Sequence, residues 1–497
     1  MEKQGPDTPG LAHERQAKAV QVVRDVFQGT LHMRKQAAKY LPVFAKETPE
    51  SYSDRLQQAV LFNAFRRTVK GLVGLVFSNE TKIGDDVPPG IVEYLENVDL
   101  EGRDIDSFSR DVFEDGFLDG HAGIFVDFQE VAQGSIESLA QERQAGLRPY
   151  WIPLRKQDVL KFSTIKVNGR RVLSLLRWKE SGEEDDGRWG ERSVTRIREY
   201  RLVRAQNESG DPYIAVQWSV YEEVKDGPGK KKWLLRSSGT FEGMDEIPLA
   251  TAYTNRTGYL ESEPPLLDLA LENIKHWQKR SDKDNVEHVA CVPILTLIGV
   301  EEEKPGAFSV GPTVGLMLPK GGDAKFAEIQ GSGLEASRLS LKDIEHRMAI
   351  LGLSMLMSET RSAETATSKR IDKSESDAQL ILAARNMQQA LNEALRLTAK
   401  WEGLNSGGTV EVNRDFEKKL LDPQMFAALL DAVDRGRISL ETFWDAAKRG
   451  EVLSEDFDPE LERVRLAEEG MAELDAMRSG GGNGGGNGGQ EDDDGEE

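Results

Sequence analysis

Lys369, Arg370 and Lys373, with Arg361 a little upstream, stand among serines and threonines in residues 358–377 (SETRSAETATSKRIDKSESD). Cations and hydroxyls in such a mixture contact phosphate oxygens and read no base. The chemistry they offer is light, sequence-independent contact with a phosphate backbone. A linker between helices is the alternative for the same stretch. A second basic cluster, residues 230–233 (KKKW), reads as the solvated flank of a β-turn. The remaining candidates for chemistry fail on spacing. His13, His32, His121, His276, His288 and His346 are scattered, and they read as structural or surface residues. His13-Glu14 lacks the second histidine of H-E-x-x-H, and His276 and His288 are too far apart on one predicted helix to share a metal. No G-x-x-x-x-G-K-[ST] loop is present to cradle a nucleotide, and no G-x-S-x-G falls between a strand and a helix. Cys291 is the only cysteine, which excludes an intrachain disulfide and a thiolate metal cluster. Met348, Met355 and Met357 read as helix-packing residues. The expectation is a chain with no catalytic site, metal or cofactor.

The polar segment is positioned by the helices around it. Residues 265–292 and 334–357 both carry apolar residues at helical spacing, and a third helical pattern resumes at Ala378. In the first, Leu266, Ala270, Ile274, Trp277, Val286, Val289 and Ala290 recur. In the second, Leu341, Ile344, Met348, Leu351 and Met355 step by 3, 4, 3 and 4, a near-heptad seam that requires a partner helix. Between these two helices lie strand-like pieces at 294–300, 314–318 and 326–329, separated by Gly- and Pro-containing turns. The order helix, β-rich tip, helix, polar gap, helix suits a stalk and tip carried by a larger body.

That body reads as α+β. Residues 14–39 form a polar, weakly helical lead-in. Thr48 is placed to cap a helix that starts at Pro49 and keeps helical spacing to about Phe77. A further helix is predicted from Asp106 to Asp119, with Phe108, Val112, Phe113 and Phe117 inward, and Gly120 ends it. Residues 123–128 (GIFVDF) read as a strand, and 129–148 as a Gln/Glu-rich surface insertion. Asn168-Gly169 between 162–167 and 171–178 is a strong hairpin signal. More strands are expected at 194–203, 213–220, 232–238 and 247–253, joined by charged, Gly-rich loops that include SGEEDDGRWG. At the other end of the chain, residues 422–477 read as three short helices with breaks at Gly436 and Asp458-Pro459. A Gly/Asn spacer and EDDDGEE then make up a disordered acidic tail.

Of 497 residues, 38 % are hydrophobic and 30 % charged, a balance suited to an assembly with much polar surface. No run approaches the ~18 apolar residues of a membrane helix. The N-terminal MEKQGPDTPG has no hydrophobic core of a signal peptide, so cytosol-like conditions are expected. The net charge is −22, and the tail's six carboxylates are a minor part of it. This argues against tight nonspecific clamping of nucleic acid, which requires cations to displace counterions. A solvated acidic surface, or one that nucleic acid passes without sticking, remains.

Several local signatures, in order, resemble tailed-bacteriophage portal proteins, in particular a branch catalogued as a domain of unknown function. They are YLP at 40–42, RLQQA at 55–59, RTVKGLVGLVF at 67–77, GHAGIFVD at 120–127, RPY at 148–150 and PPLLDLA at 264–270. NIKH at 273–276, Gly311-Pro312 and residues 334–352 complete the set. The resemblance spans roughly residues 38–400, and more loosely to 465. The acidic 179–193 loop, the 129–148 insertion and the tail depart from it. It implies a portal-like α+β fold. Residues 1–37 would be an N-terminal lead-in and 38–264 a wing-like body. Stem helices at 265–292 and 334–357 would flank a clip at 293–333. A tunnel loop at 358–377, a wing helix and strand at 378–419, a helical crown at 420–477 and the tail at 478–497 would follow.

The resemblance also implies a ring of about twelve copies at one capsid vertex, closed by head-to-tail contacts. Double-stranded DNA would pass through it without sequence specificity during packaging and ejection. Partners would be the large terminase subunit, a head–tail adaptor, and the major capsid and scaffold proteins, with no membrane. Localisation would be the virion, after assembly in host cytoplasm. Carried onto this sequence, Ile294, Leu316 and Phe326 belong to the clip docking surface. Arg361, Lys369, Arg370 and Lys373 belong to the tunnel loop, where they would touch DNA. A non-channel head–tail adaptor or minor capsid protein using a similar body is the alternative.

Overall fold

The computed structural model describes residues 5–467, apart from 130–145, 168, 188, 207–209, 226–230, 242, 291–293, 299–322, 328–331, 353–365, 417–422, 450–451 and 455–456. The chain forms two compact units, Met1–Arg414 and Asp415–Glu497.

In the first unit the lead-in is two helices, α1 (Leu11–Gln28) and α2 (Thr30–Gln36), broken at Gly29, whose φ of +87° only glycine adopts without strain. It is better packed than its polarity promised, with Val20, Val23, Val26 and Met33 buried. The buried Asp25 carboxylate accepts from Gln21 at 2.8 Å, Lys39 at 2.7 Å and Tyr40 at 2.6 Å. Thr48 caps α3 (Pro49–Gln58) as expected, its hydroxyl oxygen accepting from the Ser51 amide at 3.2 Å. The helix does not run on to Phe77. It stops at Gln58, and α4 (Ala64–Val76) starts afresh under an Asn63 cap. Tertiary partners satisfy the backbone freed at the break. The Leu61 amide donates to Thr30 at 3.2 Å, the Phe65 amide to the Asn273 side chain at 3.0 Å, and the Asn273 amide group to the Phe62 carbonyl at 2.8 Å.

Strand β1 (Lys82–Ile83) and a helix absent from the sequence reading, α5 (Pro89–Leu95), precede α6 (Ile105–Asp119). Asp104 caps α6, and Phe108, Val112, Phe113 and Phe117 are buried as expected. Gly120 closes it at φ +88°, with the Glu263 carbonyl so close that no Cβ fits. The chain then enters β2 (His121–Phe128), flanked by β3 (Pro149–Arg155) and β9 (Leu249–Tyr253) in a three-stranded antiparallel sheet.

A five-stranded antiparallel meander follows in sequence order: β4 (Val159–Val167), β5 (Arg170–Asp185), β6 (Glu191–Gln206), β7 (Pro212–Lys225) and β8 (Lys231–Phe241). The β4–β5 ladder closes with Val167 opposite Arg170, and Gly169 between them has φ +78°. The expected joining loop at 181–190 is strand over its first half, to Asp185. Glu184 pairs with Arg192 at 2.9 Å and with Arg196, and such cross-strand ion pairs let a charged sequence extend a ladder. The two sheets meet over aromatic rings. Trp178 stacks on Tyr200 with centroids 4.9 Å apart, and Phe125 of β2 lies 4.5 Å from Tyr200. Short strands β10 (Arg256–Gly258) and β11 (Glu261–Ser262) complete the body.

The rest of this unit is α7 (Leu267–Ala290), strands β12 (Ile294–Ile298) and β13 (Asp323–Ala327), α8 (Ser332–Leu351), α9 (Ala366–Trp401) and β14 (Val410–Glu411), which pairs with β1. The second unit contains α10 (Pro423–Asp434), α11 (Leu440–Arg449) and a helical stretch at 459–467. Its breaks lie at Gly436 (φ +65°) and at Asp458, whose carboxylate accepts from the Glu460 amide. Both were legible in the sequence.

Candidate functional site: a helix bracket and the cations behind it

The candidate site is the bracket α7, β12–β13, α8, with the first turns of α9. The first half of α7 lies in the core of the body. Leu269, Ala270, Asn273, Ile274, Trp277 and Ser281 are all buried, and Trp277 is fully enclosed. α8 packs on α7 through Leu341, Ile344 and Met348, the first three members of the expected seam. Leu351 leaves it and is 37 % exposed. Gly352 takes its place, because a Cβ there would lie 2.5 Å from Leu269 Cδ2 and 2.8 Å from Thr68 Oγ1. The chain approaches the body too closely at that point for a side chain to intervene. Met355 lies outside the described residues. Polar contacts fasten the pair: His276 Nε2 is 3.2 Å from Glu345, and Arg347 is 3.2 Å from Glu272.

At the tip, β12 and β13 pair antiparallel within the one chain, with Ile294 opposite Ala327, Leu295 opposite Phe326 and Ile298 opposite Asp323. Ile294 and Phe326 therefore sit on one two-stranded ladder. Leu316, and the strand expected at 314–318, lie outside the described residues.

Helix α9 begins at Ala366, not Ala378. Residues 358–377 are polar, but they contain neither Gly nor Pro, and Ala, Lys, Arg and Glu are good helix formers. Polarity alone does not break a helix. Lys369, Arg370 and Lys373 thus lie on helical backbone, in the first turns of α9. Arg361 lies outside the described residues. Farther along, α9 is anchored in the body. Leu380, Met387, Leu391 and Leu395 are buried, the Trp151 indole N–H donates to Thr398 at 2.9 Å, and that of Trp401 to the Val126 carbonyl at 3.1 Å.

One buried constellation has the composition of a catalytic group. His121 Nδ1 and the Ser262 hydroxyl are 2.7 Å apart, and Lys156 Nζ is 3.0 Å from the same hydroxyl. Lys156 also donates to the carbonyls of Asp119 (2.9 Å) and Ser262 (2.7 Å), so its three protons are all taken. Ser262 is buried, and Arg24 clamps Asp119 at 2.7 and 2.8 Å and Asp115 at 2.8 Å. Burial, and then the neighbouring Lys156 charge, hold the His121 imidazole down to about 3, while burial lowers Lys156 to about 8. The group ties α1, α6, β2 and β11 together; Ser262 is enclosed, and the buried His121 and Lys156 form part of the wall of a cavity beside α1. Sequence reasoning missed it because its members are far apart in the chain. His13, which meets the Val159 carbonyl at 2.9 Å, and His32, which meets Asp25 at 2.7 Å, are structural too. Among the described residues no group of His, Cys, Asp or Glu is placed to hold a metal ion. No described helix is long and apolar enough to cross a membrane.

Residues 265–402, which run from just before α7 to the end of α9, match a family model described as a domain of unknown function (DUF4055). No curated protein matches. Similar solved structures include a chain from the "Neck of empty GTA particle computed with C6 symmetry", at 10 % identity over 81 % of this chain and 89 % of that one, with a TM-score of 0.37. Another comes from the "Neck of native GTA particle computed with C12 symmetry", at 10 % identity over 82 % and 96 % of the two chains, also at 0.37. At that score the likeness is too loose to carry an argument about fold or function.

Proposed function

We propose that this chain is the subunit of a phage portal. In this reading copies form a ring at one capsid vertex, through which DNA is packaged and later ejected. The terminase motor docks there first, and the adaptor and tail afterwards. The observation that carries the reading is the bracket: two long helices joined by a small antiparallel strand pair, in the middle of a portal-like order of sequence signatures. The same segment is the one the family model matches. Supporting it, the chain carries no nucleotide-binding loop of its own, as a passive conduit served by a separate motor requires. Its role is structural, without catalysis. A net charge of −22 per copy makes a lumen that repels DNA and lets it slide. Lys369, Arg370 and Lys373 are the local exception, giving transient phosphate contacts from the start of α9.

Immunogold labelling of assembled heads tests the proposal, with one label per head at a single vertex as the expected result. Particles made without the chain should contain no DNA. Label spread over the capsid, or filled heads in its absence, would sink the reading. Replacing the three cations by Ala should change packaged length or DNA retention while rings still form. Wild-type length and retention would remove that role from them.

A further inference from the structure

The five-stranded sheet ends in a fork. The ladder between β6 and β7 stops at Arg196 opposite Glu222, while β5–β6 continues to Asp185 opposite Glu191 and β7–β8 to Lys225 opposite Lys231. Beyond the fork, the sheet is two separate two-stranded arms. At the fork itself charges are neutralised within the chain. Arg196 reaches Glu184 and, at 3.3 Å, Glu222, which also takes Arg236 at 2.7 Å.

The tips are different. The β5–β6 arm carries Glu183, Asp185, Asp186 and Glu191, all exposed and without an ion pair among the described residues, and Trp189 at its turn is 89 % exposed. The β7–β8 arm carries Lys231 and Lys232, both exposed. Lys231 reaches Glu223 on its own arm, and Lys232 makes no ion pair among the described residues. No ion pair joins the two tips within the chain among those residues.

We propose that the two arms are opposite-signed halves of a contact between neighbouring copies, the acidic, Trp-tipped arm of one against the lysine arm of the next. The inference rests on the ring reading above. A second copy is the occupant favoured by charge. A partner of one sign, nucleic acid included, would be attracted by one tip and repelled by the other. Another copy brings a matching tip for each, and a head-to-tail contact that satisfies both can close into a ring. An exposed Trp is a frequent anchor of such contacts. The acidic tip lies within the stretch that departs from the portal pattern, so the contact would belong to this chain and not to portals in general.

The test measures assembly of the full chain by mass photometry, across salt, for three variants. They are Lys231→Glu with Lys232→Glu; Glu183→Lys with Asp185→Lys and Asp186→Lys; and all five together. Each single-arm reversal should raise the concentration needed for rings about tenfold or more at low salt. The combined reversal should return it to within about threefold of wild type, because the attraction is restored with its signs exchanged. Wild-type rings should loosen as salt rises, since screening shortens to ~3 Å at 1 M. Circular dichroism checks that each variant is folded. Should a single-arm reversal misfold, salt dependence of the wild type and Lys232→Gln, expected to weaken assembly about threefold, decide instead. Rings indifferent to reversal and to salt, or a combined variant no better than either single one, would overturn the contact. A wild-type chain that forms no rings would instead sink the portal reading itself.

Discussion

The two halves of α7 belong to one helix but are held differently. From Leu269 to Ser281 every inward position is buried against the body, and Asn273 repairs the backbone break before α4. Beyond it, Val286 is 45 % exposed, and on α8 Leu339 is 50 % exposed. The inward positions of the root are filled within one chain, and exposed apolar residues remain on both halves, Leu271 on the root as well as Val286 and Leu339 farther out; the ring reading would set the outer ones against a neighbouring copy. Stability and assembly should therefore separate along a single helix.

The largest effect should follow from Trp277→Ala. It empties the centre of the root, at a cost of about 3–5 kcal/mol, measured by urea denaturation. Gly352→Ala attacks the same root from α8, forcing a Cβ against Leu269 and Thr68, and should cost about 1–3 kcal/mol in the same assay. Next comes acid sensitivity of the body. His121 is depressed to about 3 from an ordinary 6.5, so between those values the unfolded chain binds the extra proton. The His121 contribution to stability is full above pH 6.5 and should fall by up to about 1.4 kcal/mol per pH unit on acidification toward 3. His121→Gln should flatten that slope in thermal melts taken across pH. An unchanged slope would assign the acid sensitivity elsewhere. The smallest effect on folding should come from the outer half. Val286→Ser with Leu339→Ser should leave stability within about 0.5 kcal/mol while lowering the fraction of chain in assemblies. A variant that unfolds the body instead would erase the distinction between root and outer half.

What the sequence disclosed follows the same division. Elements set by local chemistry were legible, such as the Thr48 and Gly120 caps, the hairpin at 168–169 and the periodicity of α7 and α8. What it hid depends on partners distant in the chain. The break at 59–63 is held by Asn273, and the extended β5–β6 arm by cross-strand ion pairs. Leu351 yields to Gly352 through contact with Leu269 and Thr68. The early start of α9 is hidden for a different reason: polar composition suggests a loop, yet no Gly or Pro there forbids a helix. Of the candidate site, the bracket was legible, as were the positions of its cations along the chain. The helical backbone beneath Lys369, Arg370 and Lys373 was not.

In the proposed portal, copies of this chain complete the outer half of the bracket around a channel. Negative-stain class averages of the purified full chain test it most directly. The account predicts closed rings of about twelve copies with a central hole close to the width of a DNA duplex. Monomers at every concentration, or closed particles with no hole, would contradict it.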